Sequence, residues 1–308
     1  MAIRRASLTF SLSASTMSNT LTTPHDAIEV IHLIKQFTWI HRLGGSIKRD
    51  MTDSVINAFK RLVGKGAKEK QVEVYTALKD ISFTVPHGQT VAVIGRNGSG
   101  KSTLLGILAR VYKATSGSAQ LYNPEGGPAR IAPLLALEAG FHPDLTGQEN
   151  IEFYGAVLGM SRKMIEARRE QIIAFAELES KVDTAVRGWN DGAKLRLGFS
   201  IAVHTDPDIL LVDEVLAVGD EAFQNKCYRL IAELQARGKT ILFVSHDLDV
   251  VERVANRIIW LNQGVIHMDG DAATVLRAYR EDASHTLMGG DAANPPSFLE
   301  NASTSPTD

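Results

Sequence analysis

Nine residues, Gly95-Arg96-Asn97-Gly98-Ser99-Gly100-Lys101-Ser102-Thr103, constrain this chain more than any other stretch. They follow an apolar run, Thr90-Val91-Ala92-Val93-Ile94, which reads as a strand, and they open a second apolar run that reads as a helix. In that setting Gly95, Gly98 and Gly100 let successive backbone N–H groups turn inward without Cβ clashes, while the helix N-terminus adds partial positive charge. The product is a phosphate cradle. Lys101 supplies the point charge for the β- and γ-phosphates of a nucleotide, and Ser102 a hydroxyl for Mg²⁺; Asn97, Ser99 and Thr103 complete the binding loop.

A second anchor lies about a hundred residues on. Asp208-Ile209-Leu210-Leu211-Val212-Asp213-Glu214 reads as a buried parallel strand ending in two carboxylates, since strands covered by helices on both faces are continuously apolar. Phosphoryl transfer depends on positioning and charge stabilisation, so Asp213 is placed for the Mg²⁺ shell and Glu214 for polarising the attacking water. A third strand, Thr240-Ile241-Leu242-Phe243-Val244-Ser245, delivers His246 to the ligand edge of the same sheet. Alone, an Asp-Glu pair is a solvated strand end and a lone histidine a packed one. In this order behind the cradle, Lys101, Glu214 and His246 form a catalytic set.

The order of phosphate loop, Asp213-Glu214, Asp220 and His246 resembles the ATP-binding cassette, the ATPase subunit of ABC transporters. The resemblance spans residues 28 to 280. Two stretches, Asp213-Glu-Val-Leu-Ala-Val-Gly-Asp-Glu-Ala-Phe-Gln-Asn-Lys-Cys227 and Gly140-Phe-His-Pro-Asp-Leu-Thr-Gly-Gln-Glu-Asn150, are similar to the branch that exports O-antigen, capsular polysaccharide and teichoic acids. The resemblance implies an α/β P-loop NTPase fold: a mostly parallel sheet, an antiparallel edge sheet and an α-helical subdomain. It implies ATP and Mg²⁺ as cofactors and ATP-driven export of a lipid-linked polysaccharide as function. It also implies an integral-membrane transporter subunit and a second cassette as partners, in a homodimer or heterodimer on the cytoplasmic face of the inner membrane. The glycolipid would be met only indirectly. The alternative is a soluble or regulatory ABC ATPase with weak hydrolysis.

With 308 residues the chain is long enough for a substantial core, and a net charge of −2 provides no basic field for nucleic acid. The single cysteine, Cys227, forms no internal disulfide and reads as a packed small residue. No run approaches the roughly 18 to 20 apolar residues of a spanning helix, so a transporter's channel would be another polypeptide. Residues 1–24, which include Arg4, Arg5 and a Ser/Thr-rich run, read as a disordered extension, with Met17 an alternative start.

Residues 25–283 form the expected cassette, with a first strand near 27–34 and a second from Leu78 to Val85. An insertion between them, about 38–74, combines Val55, Phe59 and Leu62 at helical spacing with Lys48, Arg49, Lys60, Arg61, Lys65, Lys68 and Lys70. This basic amphipathic segment is either a solvated face or a helix at the lipid headgroups or channel subunit. Ser116 to Tyr122 is expected as an edge strand. The helical lobe, about 145–200, is announced by Thr146 and Glu149, a capping box, and its Arg168 and Arg169 read as a solvated basic face. From 284 to 308 the composition is too poor in large apolar residues to order, so a disordered tail is expected.

The chain departs from the family at two points. ABC cassettes cap each ATP with a signature loop from the facing subunit; the matching residues here are Trp189-Asn190-Asp191-Gly192-Ala193. Asn190 and Gly192 suit a phosphate, and the resemblance adds Asp220 to the nucleotide-binding residues. A carboxylate at Asp191 within roughly 5 Å of a γ-phosphate costs on the order of a few kcal/mol unless it is turned away or paired, and Lys194 is the nearest cation. The loop that couples nucleotide to channel lacks the family's glutamine and has Glu138 and His142 in its place; Phe141, His142 and Pro143 are the expected channel contact. Adenine stacks on an aromatic side chain upstream of the cradle, for which Phe37 and Tyr75 compete.

Overall fold

The computed structural model describes residues 25–40, 72–135, 140–213 and 220–288. Two long strands, β1 (Ile28–Ile40) and β2 (Val72–Val85), pair antiparallel from Ile28↔Val85 to Ile40↔Val72. Both outrun the sequence expectation, because ladder bonds are made by the backbone and run on through polar positions such as Lys35, Gln36 and Thr38 of β1 and Glu73 and Thr76 of β2. The insertion expected at 38–74 therefore shrinks to 41–71. Its basic amphipathic stretch lies outside the described residues, as do 1–24 and the far tail.

After β3 (Thr90–Ile94), the expected edge strand appears as β4 (Ser116–Leu121) and joins the other flank of β1, giving the order β2-β1-β4. The main sheet is built on β3. Its other strands are β5 (Ile131–Leu134), β6 (Ile209–Asp213), β7 (Thr240–Val244), β8 (Arg257–Asn262) and β9 (Val265–Asp271), in the order β5-β6-β7-β3-β8-β9. All neighbours are parallel except β8 and β9, which form an antiparallel hairpin.

The continuous apolar runs have a direct cause in the packing. Val91 and Val93 of β3, Ile209 and Leu211 of β6 and Leu242 and Val244 of β7 face one core; their alternating neighbours Ala92, Leu210, Val212, Ile241 and Phe243 face the other. Both faces are covered, so polar alternation is absent. The first core is closed by α1 (Lys101–Leu108) and the small sheet. The helical lobe comprises α2 (Gly147–Val157), α3 (Arg162–Ala176) and α4 (Asp191–Val203) around its own cluster of Ile151, Ile165, Ile172, Trp189 and Leu197. The second core is closed by α5 (Glu221–Ala236), α6 (Leu248–Val254) and α7 (Ala272–Met288), with Phe199 and Val203 of α4 reaching into it. α4 thus belongs to lobe and body at once.

Thr146 and Glu149 make both bonds of the expected capping box, and these bonds hold the Glu149 carboxyl below its ordinary pKa. Two expectations change. Arg168 is not merely solvated, since it donates to the His204 carbonyl at 2.6 Å, and Arg169 donates to Gln148 and pairs with Glu152. α7 continues to Met288, beyond the boundary expected at 283, because its Val275 and Leu276 are anchored in the core and its helical ladder carries on.

Candidate active site

Parallel strands β6, β7 and β3 lie side by side, and their register sets Asp213, Val244 and Val93 level with one another. Asp213 itself and the residues that follow Val93 and Val244 therefore stand at one edge of the sheet. That edge receives the loop after β3, the carboxylate closing β6, and His246, two residues past the end of β7.

The loop is held by its glycines at both ends. Gly95 has φ 147°, and a Cβ there would lie 2.1 Å from the Leu261 carbonyl oxygen on β8. Gly100 has φ 107° as the N-cap of α1, and its Cβ would meet Leu78 Cδ2 at 2.7 Å and the Ala77 oxygen at 2.8 Å. Only glycine fits such approaches. The hairpin turn after β8 fastens the loop further, with Gly264 donating its N–H to the Ser99 oxygen at 3.0 Å.

Tyr75, residues 97–103 and Asp213 line an open cavity of about 470 Å³. Lys101 is buried, and its Nζ curls back to the carbonyls of Gly95 at 2.8 Å and Arg96 at 3.2 Å, circling the loop from within. The first amides of α1 open toward this space, since a helix start has no intrahelical acceptors for them. Ser99 Oγ is the one buried side-chain polar atom without a hydrogen-bond partner among the described residues. Its hydroxyl needs an acceptor, which a phosphate oxygen provides. Ser102 and Asp213 contribute a hydroxyl and a carboxylate to the same wall, hard oxygen donors of the kind Mg²⁺ takes.

Not every predicted residue gathers here. Glu214 and Glu138 lie outside the described residues. His246 is exposed beside the cavity without lining it. Asn190 and Gly192 stand at the start of α4 and Asp220 at the start of α5, all away from this chain's own cavity. Asn190 accepts the Ala193 N–H at 2.9 Å and Asp220 that of Phe223 at 2.9 Å, so both are N-caps. Phe37 and Tyr75 face each other across β1 and β2. Phe37 packs edge-on against Tyr112 with Lys35 Nζ 4.7 Å from its centroid, whereas the Tyr75 hydroxyl donates to the Gly98 oxygen at 3.3 Å. Cys227 is buried, and burial pushes its thiol up to about 12, as befits a packed residue.

Asp191 has a simple resolution. Its side chain is 78% exposed and paired with Lys194 Nζ at 3.1 Å. An exposed pair contributes about 0–1 kcal/mol, so Asp191→Asn is expected to change hydrolysis less than about threefold. Steady-state phosphate release measures this.

Sequence reasoning passed over Asn150, fully buried with an amide bonded to the loop before α2. The signal available was its helical spacing, which sets it on one face with Gly147, Ile151 and Tyr154, the face that is buried. No described helix is long and apolar enough to cross a membrane.

The family model described as ABC transporter matches residues 78–217. The chain is 43% identical over 257 residues to the O-antigen export system ATP-binding protein RfbB of Klebsiella pneumoniae, covering 83% of this chain and 98% of that one. It is 41% identical over 214 residues to the teichoic acids export ATP-binding protein TagH of Listeria innocua, covering 70% of this chain and 62% of that one. Among solved structures, the dimeric bacterial ABC transporter cassette MJ0796 superposes with a TM-score of 0.60 at 22% identity, covering 80% of this chain and 98% of that one. The same cassette in a post-hydrolysis state with ADP and phosphate gives 0.59 at 22% identity, over 80% and 98%. At such identity the likeness concerns the fold alone.

Proposed function

The chain belongs to the ABC transporter family of ATP-binding subunits, and from that membership we propose that it powers export of a lipid-linked polysaccharide across a membrane. The observation that carries this reading is a cavity in which Lys101, Ser102 and Asp213 converge, in a chain similar along nearly the full length of an O-antigen export subunit.

In this reading the loop amides and Lys101 grip the triphosphate, and of the two competing rings Tyr75, which lines the cavity, receives the adenine. Ser102 and Asp213 would hold Mg²⁺, which supplies charge neutralisation on the phosphates. Glu214 orients and deprotonates the attacking water, and His246 completes the catalytic set. Two cassettes meet so that Asn190, Gly192 and Asp220 of each face the nucleotide of the other. Closure follows ATP because its γ-phosphate bridges both, and cleavage removes the bridge. The motion passes to a separate membrane subunit through Phe141, His142 and Pro143, with the cassette peripheral on the cytoplasmic side.

Deleting the gene tests the function. The expected result is lipid-linked glycan accumulating inside the cell while the surface polysaccharide disappears. Normal surface glycan, or a chain that fractionates with ribosomes or DNA, overturns it.

A further inference from the structure

Asn150 is fully buried near the start of α2, and its side chain gathers an exposed loop around itself. Its Oδ1 accepts the His142 N–H at 2.8 Å, and its Nδ2 donates to the carbonyls of His142, Leu145 and Thr146 at 3.1, 3.1 and 2.9 Å. Buried donors and acceptors of this kind are specific in their geometry, since each lost partner leaves a polar group unsatisfied. One amide thus sets the path of five residues.

The same loop is fastened on its other side to residues 182–188. Val186 donates its N–H to the Leu145 oxygen at 3.0 Å, Arg187 donates its own to the Pro143 oxygen at 2.8 Å, and Gln148 donates to the Val182 oxygen at 3.0 Å. The Arg187 guanidinium also reaches Asp144 at 2.9 Å. This second segment runs into Trp189, which is buried, donates its indole N–H to Thr184 Oγ1 at 2.9 Å and lies only 2.6 Å from where a Gly147 Cβ would be. Asn190, the N-cap of α4, comes next.

We propose that Asn150 is a positioning residue that makes 142–146 and 186–190 one rigid unit, so that force on the exposed His142–Pro143 surface displaces the start of α4 instead of deforming the loop. The proposal rests on the exporter reading for the source of the force, a channel subunit, and for the receiver, the nucleotide of a facing cassette. The rigid link is a property of this chain alone. A loop held only by solvent-exposed bonds opens locally and dissipates such a force; a loop pinned from inside transmits it.

Hydrogen exchange on the full chain separates the two. Asn150→Asp keeps the acceptor for His142 and removes the Nδ2 donors. Gly147→Ala leaves the amide intact and drives a methyl group into the Trp189 ring. Asn150→Asp is expected to speed exchange at least tenfold in both 142–149 and 185–193, with ATP affinity and exchange over 91–108 changed less than about twofold and kcat lowered about tenfold. Gly147→Ala is expected to reproduce the change over 185–193. Acceleration confined to 142–149, or a general loss of protection in both variants, overturns the link. Should both segments loosen together in a chain that exports no glycan, the exporter reading falls and the link stands.

Discussion

Lys101→Ala is expected to weaken ATP binding by about 10- to 100-fold. The ammonium group sits at the centre of the loop, bonded to the Gly95 and Arg96 carbonyls, and its stem is buried. Hydrogen bonds to charged groups contribute about 1.5–3 kcal/mol each, and about 1.4 kcal/mol is a factor of ten. A triphosphate offers the ammonium stronger acceptors than the carbonyls it bonds within the loop. Removing it therefore costs affinity beyond the loop's own stability. Lys101→Arg is expected to fail as a rescue, because a planar guanidinium does not fit inside a ring sized for a compact ammonium. Titration calorimetry with ATP, alongside thermal melting, decides the matter: an affinity within threefold of the parent chain with an unchanged melting temperature removes Lys101 from the site.

The parts of this molecule that could be read from sequence are those whose cause is local. The phosphate loop needs glycines within nine residues of one another, and the strand ending at Asp213 needs four consecutive apolar residues because helices cover both faces. Thr146 and Glu149 are three residues apart, and so are Asp191 and Lys194, whose pairing follows from helical spacing. What escaped is set by distant partners. Phe37 and Tyr75 are direct neighbours only because β1 and β2 pair across a long insertion, and nothing near either residue tells which ring meets the cavity. The β8–β9 hairpin was missed for a different reason. Its two-residue turn, Gln263-Gly264 at φ 47° and 83°, has the glycine of the usual hairpin signal but a glutamine where asparagine, aspartate or glycine would mark the first position, so the signal is only half present. Yet that turn holds both Ser99 and Lys79 through Gly264, so the least legible element steadies the most legible one.

Glu214→Gln is expected to lower hydrolysis by at least about 100-fold and leave ATP affinity within about threefold. The argument starts from the strand. β6 ends at Asp213, whose carboxylate lines the cavity with Ser102 at the edge where phosphates are held, and Glu214 is the next residue in the sequence. General bases contribute about 10² to 10⁴ in rate. Glutamine keeps the size and hydrogen-bonding reach of glutamate and cannot take a proton. Binding depends on the loop and Lys101, which the substitution does not touch, so the two measurements part. A second consequence follows from the bridging γ-phosphate: when cleavage is blocked, the bridge persists. ATP is then expected to shift the variant to a dimer in size-exclusion chromatography, and ADP to leave it monomeric. A hydrolysis rate unaffected by the substitution would remove Glu214 from catalysis and leave His246 as the remaining candidate at that edge. A lost rate together with lost affinity would mean that the residue shapes the cavity and does not serve as base.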